Sequence, residues 1–85
     1  MAKTNRFSDK HLKNVQRAMG AKFRKLRMEK GYKTVKAFAD KHNLPSIQYW
    51  RLEKGKTNIT LKSILKILAI YNIKLKDFFD EDIKF

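Results

Sequence analysis

The chain has 85 residues, of which 21 are Lys or Arg and eight are Asp or Glu, so its formal net charge is +13. Cysteine is absent, which excludes a disulfide framework and a thiolate metal site, and hydrophobic residues make up 42 % of the sequence, too many for a disordered chain. The length fits one domain, and since no apolar run approaches the roughly 18 residues of a membrane span or opens the chain as a signal peptide, we expect a cytoplasmic protein without a membrane partner.

The positive charge is distributed unevenly along the chain. Residues 1–76 hold 20 Lys and Arg but four acids, and the last nine residues hold the other four: Asp77, Asp80, Glu81 and Asp82. Such a surface attracts polyanions, because their condensed counterions are released on binding. A generic solubilising surface is the alternative, although soluble domains usually intersperse both signs. The charge therefore predicts a polyanionic partner.

The first helix is predicted to begin after a basic arm that covers residues 1–7. Ser8 is a suitable N-cap, and apolar residues follow it at helical spacing: Leu12, Val15, Met19, Phe23 and Leu26. Gly20 interrupts this pattern and either splits it into two helices or only weakens it. Gly31 is predicted to end it at the C′ position.

A second, short helix is predicted to open at Lys33 or Thr34 and to end near Asn43, with its apolar face formed by Val35, Phe38 and Ala39. Proline is tolerated in a first helical turn and not further inside. A third helix is therefore predicted to begin at Pro45 or Ser46 and to stop at Gly55, with Tyr49 and Leu52 pointing inward.

The fourth helix is predicted to be capped by Thr60 and to close at Asn72 or Ile73. Its apolar positions are Leu61, Ile64, Leu65 and Leu68, with Ile67 as a further candidate. A short fifth helix is marked by Leu75, Phe78 and Phe79. No segment alternates with period two between turn signals, so the predicted fold class is all-α.

Residues 34–55 place a helix, a tight turn and a second helix in about 22 residues, the size of a helix-turn-helix. In this arrangement the first helix braces the second, whose outward residues reach base edges in the major groove. Ala39 suits it, because two helices that cross closely need a small residue between them.

The run from Phe38 to Gly55 resembles the Cro/phage-repressor (XRE) type of helix-turn-helix, the lambda-repressor-like DNA-binding domain. Blocks at residues 23–31, 60–68 and 77–79 agree with that family in order and spacing, so the resemblance covers residues 20–79. It implies a compact five-helix bundle that binds double-stranded DNA, usually as a homodimer on a palindromic operator. The remaining parts are then residues 1–19, a basic arm with an N-terminal helical extension, and residues 80–85, an acidic and apolar tail.

Carried over residue by residue, the resemblance implies two sets of contacts and one internal ion pair. The base-contacting positions are Ser46, Ile47, Gln48 and Arg51. The phosphate-contacting positions are Thr34, Lys36, Trp50, Lys54, Lys56 and Asn58. The ion pair is Arg27 with Glu53, which ties the first helix to the recognition helix.

Chemistry leaves alternatives open at these positions. The guanidinium of Arg51 fits the O6 and N7 acceptors of guanine, but it also fits a phosphate, and Gln48 suits adenine or a phosphate. Ser46 either donates to a phosphate or merely caps the helix. Ile47 packs on a thymine methyl or belongs to the core, and Trp50 lies along the DNA backbone or beneath a neighbouring helix, with partial burial favoured.

The predicted function is a sequence-specific transcriptional regulator, a repressor that acts from the cytoplasm in association with the nucleoid. The alternative is an antitoxin or adaptor whose apolar residues Ile47, Trp50 and Phe85 contact a protein partner; non-specific packaging or RNA binding fits only the charge. Candidate dimer surfaces are the stripe Leu12, Val15 and Met19 and the tail Phe78, Phe79, Ile83 and Phe85.

No enzyme activity, cofactor or metal is predicted. The sequence has no glycine-rich phosphate loop and no nucleophile with supporting residues. The two histidines, His11 and His42, have no second ligand at metal spacing and are predicted to lie on the surface. The aromatic residues are predicted to form the core rather than a base-stacking platform: Phe23, Phe38, Tyr49, Phe78 and Phe79.

Overall fold

The computed structural model describes residues 8–80, and the predictions on the basic arm and on Ile83 and Phe85 lie outside them. Five helices follow one another along the chain: α1 Asp9–Glu29, α2 Val35–Lys41, α3 Ser46–Glu53, α4 Leu61–Tyr71 and α5 Leu75–Phe78. Residues 8–80 contain no strand, which confirms the predicted all-α five-helix fold. Within the same range, no helix combines the length and the apolar character that crossing a lipid bilayer requires.

Helix α1 runs unbroken through Gly20, so the glycine does not split the predicted stripe. A Cβ atom added to Gly20 would lie 2.5 Å from the carbonyl oxygen of Glu53 and 2.6 Å from that of Leu52. Gly20 thus marks the point where the end of α3 crosses α1 backbone to backbone. The continuous helix passes through the predicted junction between the N-terminal extension and the DNA-binding domain.

Side-chain caps set the starts of three helices. Ser8, Thr34 and Thr60 each accept a hydrogen bond from a backbone N–H in the first turn of the following helix, at 3.0 to 3.1 Å. Helix α3 differs, since its N-cap is Pro45, which offers no side-chain hydrogen bond. Ser46 is therefore the first residue of α3 and not its cap, which removes one of its two predicted roles.

The core is largely aromatic. Its largest fully buried side chains are Phe23, Phe38, Leu68 and Phe78. The ring of Phe38 stacks on that of Tyr71 with centroids 5.1 Å apart, and the rings of Phe23 and Phe78 lie 4.5 Å apart. Phe23, Phe38, Tyr49 and Phe78 are buried and Phe79 is half-buried against them, so the aromatic residues form the core as predicted.

The prediction for the apolar face of α4 was wrong at two positions. Leu61 is 60 % exposed and Leu65 is 48 % exposed, whereas Ile67 is buried together with Ile64 and Leu68. Both sets of positions have helical spacing, because leucine and isoleucine hold six of the 11 positions of this helix. Only the packing against the other helices decides which set faces inward.

His42 is half-buried, whereas it was predicted to lie on the surface. It is the C-cap of α2, one turn after Phe38, and its ring lies 4.7 Å from the ring of Phe38 and 5.8 Å from that of Tyr32. Its Nε2 atom is buried and has no hydrogen-bond partner among residues 8–80. Burial, together with Lys30 and Lys41, lowers the pKa of His42.

Candidate nucleic-acid interface

Helix α3 divides its side chains between two faces. Tyr49, Leu52 and Glu53 are buried, whereas Gln48 and Arg51 are exposed and Ile47 is 73 % exposed. A period of 3.6 residues separates these groups on opposite sides of one short helix. Ile47 therefore lies outside the core. The structure brings three of the four predicted base-contacting residues onto the outward face, and Ser46 lies half-buried at its first turn.

A buried ion pair fixes α3 to α1. Arg27 donates from Nε to Oε2 of Glu53 at 2.8 Å and from Nη2 to Oε1 at 3.0 Å, and its Nη1 also donates to the carbonyl of Tyr32 at 2.8 Å. The hydrogen bond to Glu53 raises the pKa of Arg27 against the opposing effect of burial. Because both charges are satisfied within this network, the ion pair orients α3 without leaving an unpaired charge in the core.

A second polar contact lies under α3. The hydroxyl oxygens of Tyr49 and Tyr71 are 2.6 Å apart, which joins α3 to α4. Burial raises the pKa of Tyr49 above its usual range and raises that of Tyr71 to about 12. Both groups therefore stay protonated at neutral pH, and the inward face of α3 is held by a neutral bond as well as by the ion pair.

The outward face opens on one side into a groove between α3 and α4. This groove has a volume of about 780 Å³ and is lined on the α3 side by Gln48 and Arg51. Asn58, Thr60 and Lys66 line its other side. Lys66 was not predicted from the sequence. Its position on the polar side of α4, six residues after the capping threonine, is the feature from which it could have been predicted. The groove joins two predicted base readers to a predicted phosphate residue and adds a cation.

Trp50, also on α3, has two lysine side chains over its ring. The Nζ atoms of Lys54 and Lys56 lie 5.7 Å and 5.9 Å from the centre of its ring, and the tryptophan is 44 % exposed. Partial burial with an exposed edge was favoured for Trp50, whereas the structure places it among the exposed large hydrophobic residues. The cation–π contacts hold both ammonium groups beside the outward face of α3, so three predicted phosphate residues form one cluster.

Thr34 and Lys36 lie apart from that cluster, at the start of α2. The hydroxyl of Thr34 accepts a hydrogen bond from the backbone N–H of Ala37, which caps the helix. Lys36 pairs with Asp40 at 3.1 Å, and both side chains are exposed. Because exposed pairs of this kind are weak, the ammonium of Lys36 remains available to a phosphate.

Gln16 is a further residue of this region that was not predicted from the sequence. From α1 its Nε2 donates to the carbonyl of Thr57 at 3.1 Å and to Oδ1 of Asn58 at 2.8 Å. The available signal is its register, four residues after Leu12 and three before Met19, which places a polar residue within the apolar stripe. Gln16 thus fixes the loop that carries Lys56 and Asn58.

No protein-family model, curated protein or solved structure matches this chain. The resemblance to the XRE type and the roles of the site residues therefore stay predictions from the sequence.

Proposed function

We propose that this protein is a sequence-specific DNA-binding transcriptional regulator of the XRE type, which inserts α3 into the major groove. The observation that carries the proposal is the two-faced α3, whose exposed Ile47, Gln48 and Arg51 stand opposite a fully packed inner face. A helix held in this way presents its outer residues to a groove without loss of core packing. The charge of +13 supplies the attraction to the polyanion.

In this proposal, affinity and sequence choice come from different residues. The lysines beside Trp50 neutralise phosphates, which positions the protein but carries no sequence information. Arg51 donates both arms of its guanidinium to guanine O6 and N7, Gln48 pairs with adenine, and the exposed Ile47 packs on a thymine methyl. Discrimination between sequences therefore depends on α3.

We propose further that the protein represses transcription from the cytoplasm, at the nucleoid, by occupying a palindromic operator as a homodimer. Two residues of the predicted dimer surfaces are excluded, because Met19 and Phe78 are buried in the core. Between residues 8 and 80, Leu61 and Leu65 form an exposed apolar pair one turn apart on α4, which fits a contact that repeats across a two-fold axis.

Selection of bound sequences from a pool of random duplex DNA tests the proposal. We expect enrichment of a site with two related half-sites, whose spacing reports the geometry of the dimer. Affinity for that site should fall about 10³-fold to 10⁵-fold between 50 and 200 mM salt if the dimer makes 6–10 phosphate contacts. A pool that stays random after repeated rounds contradicts sequence-specific binding.

The second candidate is an antitoxin or adaptor module, and the exposed apolar side chains favour it. Ile47 is 73 % exposed, and Leu61 and Leu65 add to the apolar surface. In that case the chain co-purifies with a stoichiometric protein partner, and replacing Arg51 or Gln48 by alanine leaves DNA binding unchanged.

A further inference from the structure

A second groove lies between the N-terminal half of α1 and the loop that follows α3. Its volume is about 490 Å³. Helix α1 contributes Asp9, Leu12, Lys13, Gln16 and Arg17, and the loop contributes residues 54–58. The half of α1 that forms this groove is the extension that precedes the region of resemblance to the XRE type. On its α1 side the groove therefore lies outside the region of resemblance.

Cations dominate the lining of this groove. Lys13 and Arg17 come from α1 and Lys54 and Lys56 from the loop, against the single carboxylate of Asp9. All four cationic residues are exposed. Because like charges converge on one concave surface, the local potential is positive and favours an anionic ligand with several oxygens.

The loop is fixed against α1 at two points. Gln16 uses its amide nitrogen to hold the carbonyl of Thr57 and Oδ1 of Asn58, so that Nδ2 is the atom of the Asn58 amide that can donate to a ligand. The second point is Gly55, next to Arg17 on α1. The two backbones lie so close together that a Cβ atom on Gly55 would be 2.9 Å from Cα of Arg17. The groove is thus a preformed arrangement, which lowers the entropic cost of binding.

We propose that this groove binds backbone phosphates of the duplex that flanks the site contacted by α3. This inference depends on the proposed DNA binding. The groove is continuous with that interface, since Lys54 and Lys56 line it while they contact the ring of Trp50 on α3. Asn58 lines both this groove and the groove that contains Gln48 and Arg51. A duplex seated on α3 therefore continues past α1.

The test compares two double variants of the full chain. One is Lys13→Ala with Arg17→Ala, and its matched control is Arg24→Ala with Lys25→Ala, which removes the same two charges from exposed positions of α1 outside the groove. Circular dichroism and thermal melting establish that both remain folded. Binding is measured on the selected site alone and on the same site extended by one helical turn of duplex on each side.

We expect the wild-type protein and the control to gain affinity from the extension. The groove variant should lose that gain, about tenfold, and its salt slope on the extended duplex should fall by about 0.9 for each phosphate contact removed. If both double variants bind equally and the wild-type protein still prefers the selected site over other sequences, the groove inference is overturned and the proposed function stays intact. A wild type that binds no duplex overturns both.

A free phosphorylated molecule would satisfy the same chemistry, and a titration with inorganic pyrophosphate in the absence of DNA distinguishes it. Flanking DNA as the source of phosphate predicts no saturable binding below the millimolar range. Saturable binding at micromolar concentration, lost in the groove variant and kept in the control, supports a phosphate site but overturns its assignment to flanking DNA.

Discussion

The two faces of α3 differ in what holds them and in what they offer. The inner face has three buried residues, one of which completes a bidentate ion pair to α1 and another a hydroxyl contact to α4. The outer face has Ile47, Gln48 and Arg51, which the core does not need. One short helix thus has a packed face, which stabilises the fold, and an exposed face, to which we assign DNA recognition. Substitutions on the inner face should unfold the protein, and those on the outer face should change DNA binding alone.

The largest effect should come from Glu53→Ala. It leaves the guanidinium of Arg27 buried without its counter-charge, and loss of one partner of such a pair costs about 3–5 kcal/mol of unfolding free energy. Urea denaturation measures the loss, with Glu29→Ala, an exposed acid of α1, as the control. The pair Arg27→Met with Glu53→Leu should recover most of the stability. A change within about 0.5 kcal/mol for Glu53→Ala, as at an ordinary surface position, would contradict the role of the inner face.

Gly20→Ala should come next. Its new Cβ would lie 2.5 Å from the carbonyl of Glu53, so the ends of the two helices must separate, at a cost of about 1–3 kcal/mol. The loss should occur although alanine is the better helix former by about 1 kcal/mol. Asn14→Ala, an exposed position of the same helix, should be neutral or stabilising in the same thermal melts. A stabilised Gly20→Ala would show that α3 does not cross α1 so closely.

Gln16→Ala should weaken DNA binding more than it weakens the fold. Its two hydrogen bonds are worth about 1 kcal/mol each at most, but without them the loop with Lys56 and Asn58 is no longer fixed. We expect a reduced dependence of affinity on salt, which a loss of stability alone does not produce. Gln16→Met, a neutral side chain of similar length that cannot donate these bonds, should behave in the same way. An unchanged salt slope in both variants would restrict Gln16 to a structural role.

The smallest effect should be an alkaline one on the inner face. Burial raises the pKa of Tyr71 to about 12, so the unfolded chain, with a tyrosine pKa of about 10, releases this proton first. Stability should therefore fall as the pH rises from about 10 to about 12, and Tyr71→Phe should reduce that fall. Tyr32→Phe, which keeps the Tyr49–Tyr71 pair, should retain it. Melting temperatures across this range measure the difference.

Local signals were enough to predict most of the fold from sequence. The caps at Ser8 and Thr60 and the proline at the start of α3 are signals from single residues, and the structure has a helix start at each. The inward positions Tyr49 and Leu52 followed from periodicity. These predictions succeeded because the information that they need lies within one turn of helix.

The remaining features depend on what packs against each helix. The local sequence does not show which face of α4 packs inward, that Nε2 of His42 is buried, or that α3 crosses α1 at Gly20. Each of these is decided by contacts with other helices. For the candidate site, the residues of α3 could be predicted, but the hydrogen bonds of Gln16 could not, because its partners Thr57 and Asn58 come more than 40 residues later. A polar residue inside an apolar stripe is the sequence feature that indicates such a hydrogen bond between a helix and a distant loop.

Replacing Arg51 by lysine is the sharpest test of our claim that the outer face of α3 contacts base edges. Lysine keeps the charge that a phosphate contact needs but loses the fork that matches guanine. The quantity to measure is the ratio of dissociation constants for the selected duplex and a scrambled duplex of the same composition. The proposal predicts that Arg51→Lys reduces this preference by about tenfold or more, while Arg24→Lys, at an exposed position of α1, leaves it unchanged. An Arg51→Lys protein with the full preference of the wild type would contradict the claim.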